Sequence, residues 1–393
     1  MSYEFYNFNK KYLSKIRKSE KLKFLEKFDK NNKNLDIQIN SKDYFVNKNK
    51  TFKLNIKAIS LFSGAGGLDI GSQLAGVEVI SSMDFDKDSI ETIKNNNYFK
   101  KSDHFCEDIR IFDLKKYNKI IKKNKPDKLI LIGGPPCQPF SKAGYWVTHK
   151  NRLAEKDPRN MIGQYLNVIQ QINPDGFILE NVESILHPKN SNVVNEVENF
   201  IVKNNYRFIR YRADALNFGV PQKRKRVFFI ASKKKIDGEP QITHGKDLKK
   251  YERVIDWIYK FDEQKFSEKF ESMKNKTYEK EFMQIPPGKN YFELTPRDGH
   301  PNPIFETNKK FWSFLLKLDP FGPSWTIPAQ PGPWVGPLHW ANRRLRVPEI
   351  AAIQTFPSDY NFKGSRRSIQ KQIGNAVPPI LGKEIIKFLT KNL

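Results

Sequence analysis

Cysteine and histidine are scarce: the 393 residues hold two cysteines, Cys106 and Cys137, and six histidines. Neither their number nor their spacing makes a thiolate or imidazole metal set, so no metal site is expected. A thiol that must stay reduced fits the cytosol, and a cytoplasmic protein is the expectation. No apolar run approaches the roughly 20 residues that span a bilayer. The first residues are polar and basic and lack the apolar core of a signal peptide. Acidic residues are also in deficit, 43 against 69 lysines and arginines, for a formal net charge of +26. A polyanionic partner, nucleic acid above all, is the natural reading of that imbalance. Internal repeats and long low-complexity tracts are absent. Hydrophobic residues at 38% and aromatics at 13% suit a globular chain, long enough for two or three domains.

From 57 to about 232, short apolar runs alternate with helical stretches, the pattern of an α/β fold. Strands are expected at 58–62, 79–83, 129–132, 176–179, 208–211 and 227–231. The fold class is therefore a doubly wound, mainly parallel sheet. The rhythm is lost between about 233 and 324, where charged and aromatic residues mix irregularly, as in an inserted domain. It returns with a helix at 347–355 and a closing helix after Pro378-Pro379. Residues 1–55 are rich in Lys and Asn, with Leu13, Ile16, Leu22, Leu25 and Phe28 spaced as on one or two amphipathic helices.

Four features fall at the carboxyl ends of expected strands, which in an open parallel sheet line one crevice. The first is Ile59-Ser60-Leu61-Phe62-Ser63-Gly64-Ala65-Gly66-Gly67-Leu68, a strand entering a Gly-rich turn. Asp69 stands where the third Gly of a dinucleotide fingerprint would fall, which disfavours a pyrophosphate ligand. The second is Asp84, placed to accept hydrogen bonds from both hydroxyls of a ribose; Asp108 could accept one from an adenine amino group. The third is Gly133-Gly134-Pro135-Pro136-Cys137-Gln138-Pro139-Phe140-Ser141, a stiffened turn that carries a thiol suited to nucleophilic attack. The fourth is Glu180, a carboxyl at the end of Gly176-Phe177-Ile178-Leu179. Partial desolvation there raises its pKa and favours proton sharing. Arg224 and Arg226, on alternate residues of a run leading into a strand, are expected on one face. Taken singly, each has a plain alternative as a turn, a cap or a solvated strand edge.

Together these motifs resemble, in order and in residues, the DNA (cytosine carbon-5) methyltransferases of bacterial restriction-modification systems. The late stretches Arg344-Leu345-Arg346-Val347-Pro348-Glu349 and Gln372-Ile373-Gly374-Asn375-Ala376-Val377-Pro378-Pro379 are similar to the family's closing motifs. The resemblance covers roughly 57–232 and 325–390. It implies a catalytic, S-adenosylmethionine-binding domain over 56–232, a target-recognition domain over 233–324, and a segment over 325–393 that completes the pocket, with 1–55 a basic extension. It implies that Phe62 packs on adenine, that Ser63, Gly64, Ala65, Gly66, Gly67 and Leu68 face the methionine part, and that Asp84 holds the ribose. Asp108, Ile109, Pro135, Asn375 and Ala376 complete that pocket. The family's ribose-binding acid is typically Glu, so Asp84 is one methylene shorter. In the implied chemistry Cys137 adds to carbon 6 of a flipped-out cytosine and Glu180 shares a proton with ring nitrogen 3. Arg226 meets the ring carbonyl, with Arg224 nearby. The implied partner is duplex DNA, with a cognate restriction endonuclease as a functional pair, and the protein is expected to be a monomer.

Other classes fit less well. A tRNA-methylating relative typically differs at Gln138-Pro139 and lacks so large a variable region. A catalytically dead DNA-binding regulator would not need Cys137, Glu180 and the Gly-rich turn intact. A thiol hydrolase would want a histidine at a strand end. Methylation of an exocyclic amino group would want Asn/Asp-Pro-Pro-Tyr/Phe where Pro-Pro-Cys stands.

Overall fold

The computed structural model describes residues 55–136 and 160–393. The expected N-terminal helices, and Cys137 with the residues just after it, lie outside the described residues.

Seven strands form one sheet: β1 (Ile56–Leu61), β2 (Glu78–Asp84), β3 (Asp103–Cys106), β4 (Lys128–Gly133), β5 (Gly176–Val182), β6 (Arg207–Asp214) and β8 (Lys225–Ser232). Their order is β3-β2-β1-β4-β5-β8-β6. All neighbours are parallel except β8, which runs against both β5 and β6. The central strands are apolar on both faces because both are covered, as parallel sheets require. Leu129, Leu131, Phe177, Leu179, Val227 and Phe229 face a core closed by α3 (Lys115–Asn124), α4 (Met161–Ile172) and α5 (Ser191–Lys203). Their alternates Ile130, Ile132, Ile178, Phe228 and Ile230 face α1 (Gly67–Leu74) and α10 (Pro379–Lys391).

All six expected strands are present. The seventh, β3, has the sequence Asp-His-Phe-Cys and no apolar run. Among the described residues it is an edge strand paired only with β2, and an edge needs little apolar surface.

α1 and α10 approach closely because glycines line their contact. A Cβ on Gly71 would stand 2.8 Å from the Lys383 nitrogen, and one on Gly67 would stand 2.4 Å from the Val377 carbonyl oxygen. The end of the family-like region is thus pressed onto its beginning.

Register sets the site. Leu61 pairs with Met83 and with Gly133, and Gly133 pairs with Leu179. The next residues along, Phe62, Asp84, Gly134 and Glu180, therefore stand level at one end of the sheet. On antiparallel β8, Arg226 pairs with Val182 and Phe228 with Glu180. Arg226 and Glu180 are diagonal cross-strand neighbours on one face.

Beyond Ser232 lie α6 (Val254–Ile258), α7 (Glu279–Gln284), a two-residue strand β9 (Ser324–Trp325), α8 (Val347–Ile353) and α9 (Arg366–Asn375). β9 pairs with an equally short β7 (Gln222–Lys223). The cores that the irregular region enters extend beyond 233–324. Val254, Ile255, Ile258 and Phe261 join the core of α8. A separate aromatic core draws on Met273, Phe282, Tyr291, Phe314, Trp334 and Leu338, so it crosses the expected boundary.

Candidate active site

The Gly-rich turn is built on backbone angles that leave β1 sharply. Phe62 has φ 53°, Gly64 51° and Gly66 77°. The Ser63 N–H and hydroxyl both donate to the Met83 carbonyl at 3.1 Å, which fixes the turn to β2. Asp84 fixes it again: its carboxylate accepts from the Gly64 and Asp86 amides, each at 2.8 Å. Burial pushes the Asp84 carboxyl above its ordinary value, and those two amides oppose the shift. Beneath the turn, Asp69 is fully buried and accepts from the Ser60 hydroxyl at 2.5 Å and the Ser82 hydroxyl at 2.7 Å. Burial raises it to about 6 despite those donors.

A cavity of about 630 Å³ opens at the level strand ends. Of the residues expected to bind a cofactor, all but Ala65 and Gly66 line it. Ala65 turns into the core beside Ile70 and Ile90, and its carbonyl accepts from the Tyr360 hydroxyl at 2.7 Å. Gly66 caps α1. Asp108 lines the cavity, with its carboxylate gripped by Arg110, whose Nε lies 2.9 Å from Oδ2; that contact holds Asp108 below the usual carboxylate range. Phe85, which motif reasoning missed, is 76% exposed and lines the same space. An aromatic directly after an acidic strand end is the signal that would have found it. On the far wall, Lys371 of α9 pairs with Asp86 at 2.7 Å, and Asn375 and Ala376 close the cavity.

Glu180 and Arg226 form one end of this space. The Arg226 Nε lies 2.9 Å from Glu180 Oε1, an ion pair whose angle falls short of a hydrogen bond. Burial pushes the Glu180 carboxyl up, and the charges of Arg226 and Arg224 pull it back in part. Asn181, buried beside it, donates to the Pro135 carbonyl at 3.1 Å and so ties the proline turn to β5. Pro135 and Pro136 line the cavity just before Cys137.

Arg224 was expected beside the base, and the structure gives it other work. It is fully buried, and its Nη2 donates to the Gly374 and Ala376 carbonyls at 2.7 and 2.9 Å. Gln222 bonds Gln354 at 2.5 Å, and Gln354 reaches the Ala376 carbonyl at 2.6 Å. The alternate-face rule fails because the strand breaks at Arg224, between β7 and β8. Arg224, Gln222 and Gln354 are struts that hold the 374–376 turn against the cavity. Among the late motifs, Arg346 likewise binds Glu271 at 2.6 Å and the Phe261 carbonyl at 2.6 Å.

The donors and acceptors present fit S-adenosylmethionine. Asp84 spends one acceptor position of each oxygen on the backbone and keeps others for hydroxyl donors. Asp108 offers a further carboxylate, while Phe62, Met83, Phe85 and Ile109 supply apolar surface for a ring. The volume lies within the range of small-molecule sites.

The chain is similar to known proteins over most of its length. The family model described as C-5 cytosine-specific DNA methylase matches residues 56–391. The type II methyltransferase M.SacI of Streptomyces achromogenes is 33% identical over 373 residues, covering 86% of this chain and 93% of the relative. The type II methyltransferase M1.HphI of Haemophilus parahaemolyticus is 28% identical over 358 residues, covering 88% and 90%. Among solved structures, a putative DNA modification methyltransferase encoded within an Escherichia coli prophage superposes with a TM-score of 0.60 at 26% identity, over 86% of this chain and 99% of that one. The Entamoeba histolytica methyltransferase EhMeth, at 18% identity and a TM-score of 0.56 over 86% and 98%, shares the fold.

Proposed function

Since the chain belongs to the C-5 cytosine-specific DNA methylase family, we propose that it methylates carbon 5 of a cytosine swung out of duplex DNA, through a covalent bond to Cys137. It is an S-adenosylmethionine-dependent DNA cytosine-5 methyltransferase of the type II restriction-modification group. The observation that carries the finer reading is the level row of Phe62, Asp84, Gly134 and Glu180 around one cavity, with Arg226 beside Glu180.

Carbon 5 of cytosine is too weak a nucleophile to take a methyl group unaided. The Cys137 thiolate adds to carbon 6, and the electron pair of the 5,6 double bond moves toward carbon 5 and nitrogen 3. Glu180, whose carboxyl burial pushes above its ordinary pKa, places its proton at nitrogen 3 and neutralises that charge. Arg226 holds the Glu180 carboxyl in line and donates to the ring carbonyl. S-adenosylmethionine, when bound, supplies the methyl group. A base then removes the carbon-5 proton, the double bond re-forms, nitrogen 3 returns its proton to Glu180, and the carbon–sulfur bond breaks to return the thiolate. The base must leave the stack for any of these contacts to form.

Phe62, Ser63, Gly64, Gly67, Leu68, Asp84, Asp108, Ile109, Pro135, Asn375 and Ala376 would hold the cofactor, with Ala65 and Gly66 shaping the turn from behind. The region over 233–324, extended by its own aromatic core to Leu338, would read the target sequence. The net charge of +26 would meet the phosphates. A cognate endonuclease, a cytoplasmic location and a monomeric state complete the proposal. Bisulfite sequencing of a plasmid from cells that express the protein tests it. Protected cytosines in one recurring sequence are expected, and a fully converted plasmid would overturn it.

A further inference from the structure

At the junction of the irregular region with the sheet, a cluster of aromatic rings stands in solvent. Phe311 is 81% exposed, Trp312 44% and Trp325 36%. Trp312 and Trp325 meet edge to face with centroids 4.3 Å apart, and the Lys223 ammonium lies 4.2 Å from the Trp325 ring centre. Adjacent exposed aromatics are costly to leave in water without a use.

The cluster is rigidly mounted from both sides. The Tyr291 hydroxyl donates to the Lys310 carbonyl at 2.8 Å, and Asn290 to the Trp312 carbonyl at 2.7 Å. The Phe314 N–H closes the turn onto the Phe311 carbonyl at 2.8 Å. Trp325 is set by the β7–β9 pair and by the Thr326 hydroxyl, which donates to the Lys223 carbonyl at 2.6 Å. Nothing in this mounting needs the rings themselves to face outward.

Lys223 lies three residues before Arg226, a reach of at most about 10 Å along the chain, or roughly three base steps of one DNA strand. Its neighbours Gln222 and Arg224 are buried struts, which fix the Lys223 backbone while its ammonium lies over Trp325. Trp325 has one ring face under Lys223 and Trp312 against it. Phe311 and Trp312 keep the open ring surface.

We propose that Phe311 and Trp312 form a stacking platform for an unstacked base of the substrate DNA next to the target cytosine, with Trp325 as its backing and Lys223 as the cation for the adjoining phosphate. The inference rests on the DNA-methylating reading. It follows from chemistry that every base shares: an aromatic face beside a cation binds any base ring.

The full chain is titrated with a twelve-nucleotide oligo(dT) and with an abasic twelve-mer of equal phosphate number, with tryptophan fluorescence as the readout. The wild type should bind oligo(dT) about fivefold or more tighter, the usual effect of one stacked base. Phe311→Ala and Trp312→Ala should abolish most of that preference and leave abasic affinity unchanged. Phe311→Leu, which keeps bulk and removes the ring, should do the same. Lys223→Gln should weaken both ligands equally. Equal affinities in the wild type, or a preference that survives in the ring-less variants, would overturn the proposal. Cys137→Ala should keep the preference; a wild type that makes no methylated product yet keeps the preference would fail the methylation reading and leave the platform standing.

Discussion

Gly134 and Glu180 fit against each other with no room to spare: a Cβ at position 134 would lie 2.7 Å from Glu180 Oε2. The smallest possible side chain would therefore push the carboxyl off its place beside Arg226. Misplacement of a reacting group by about an ångström can cost around a hundredfold in rate. Gly134→Ala should lower turnover by roughly that factor and leave S-adenosylmethionine affinity within about twofold. Single-turnover kinetics and calorimetry measure the two, and a normal rate would mean that Glu180 is not held by this contact.

Glu180→Gln should lower turnover by on the order of 10²–10⁴. The amide can hydrogen-bond but cannot share a proton. The wild-type carboxyl sits above its ordinary pKa through burial, so its proton is present at low pH and lost as pH rises through the raised value. The wild-type rate should fall on that basic limb, and the variant should lack the limb. A pH–rate profile of the same shape for both would move the acid role elsewhere.

Cys137→Ala should abolish methyl transfer and retain DNA and cofactor binding. Duplex DNA with 5-fluorocytosine should form a denaturant-resistant adduct with the wild type, because fluorine cannot leave as a proton does. Measurable turnover by the variant would sink the covalent route.

Asp84→Ala should weaken S-adenosylmethionine binding about tenfold to a hundredfold, the cost of losing hydrogen bonds to a charged acceptor. The same change frees the Gly64 and Asp86 amides, so the turn should loosen as well. DNA affinity should stay as it was. Unchanged cofactor affinity by calorimetry would remove Asp84 from the site.

Arg224→Ala should act on stability before chemistry. It leaves the Gly374 and Ala376 carbonyls without their donor and opens a buried space. A cost of about 2–5 kcal/mol is expected. Arg226→Ala, by contrast, should keep most of the stability and lose turnover. Denaturant unfolding of both variants separates them, and an Arg224 variant of normal stability with no activity would return that residue to the chemistry.

Much of the cavity's lining is legible in the sequence, for a physical reason. Buried parallel strands must be apolar on both faces, so their ends stand out where Ser63-Gly64, Asp84 and Glu180 interrupt the run. β3 left no such trace, because an edge strand like Asp103–Cys106 needs no apolar run. Arg224 leaves the expected face because strand alternation presumes an unbroken strand, and the break lies at that residue. Phe314, Trp334 and Leu338 share one core across the expected boundary at 324, and only packing reveals that. Phe85 lacked a motif, although its exposed ring lines the cavity.

The clasp between α1 and α10 also orders events during synthesis. Gly67 leaves the ribosome 310 residues before Val377, whose backbone it must meet. At about 5–20 residues per second that interval is roughly 15–60 s. Throughout it the Gly-rich turn has no α10 beneath it, and Asn375 and Ala376 do not yet exist to close the cavity. A nascent chain therefore carries the strand-end acids and the thiol without a finished pocket, and ribosomes stalled before residue 374 should release chains that neither bind the cofactor nor mark DNA.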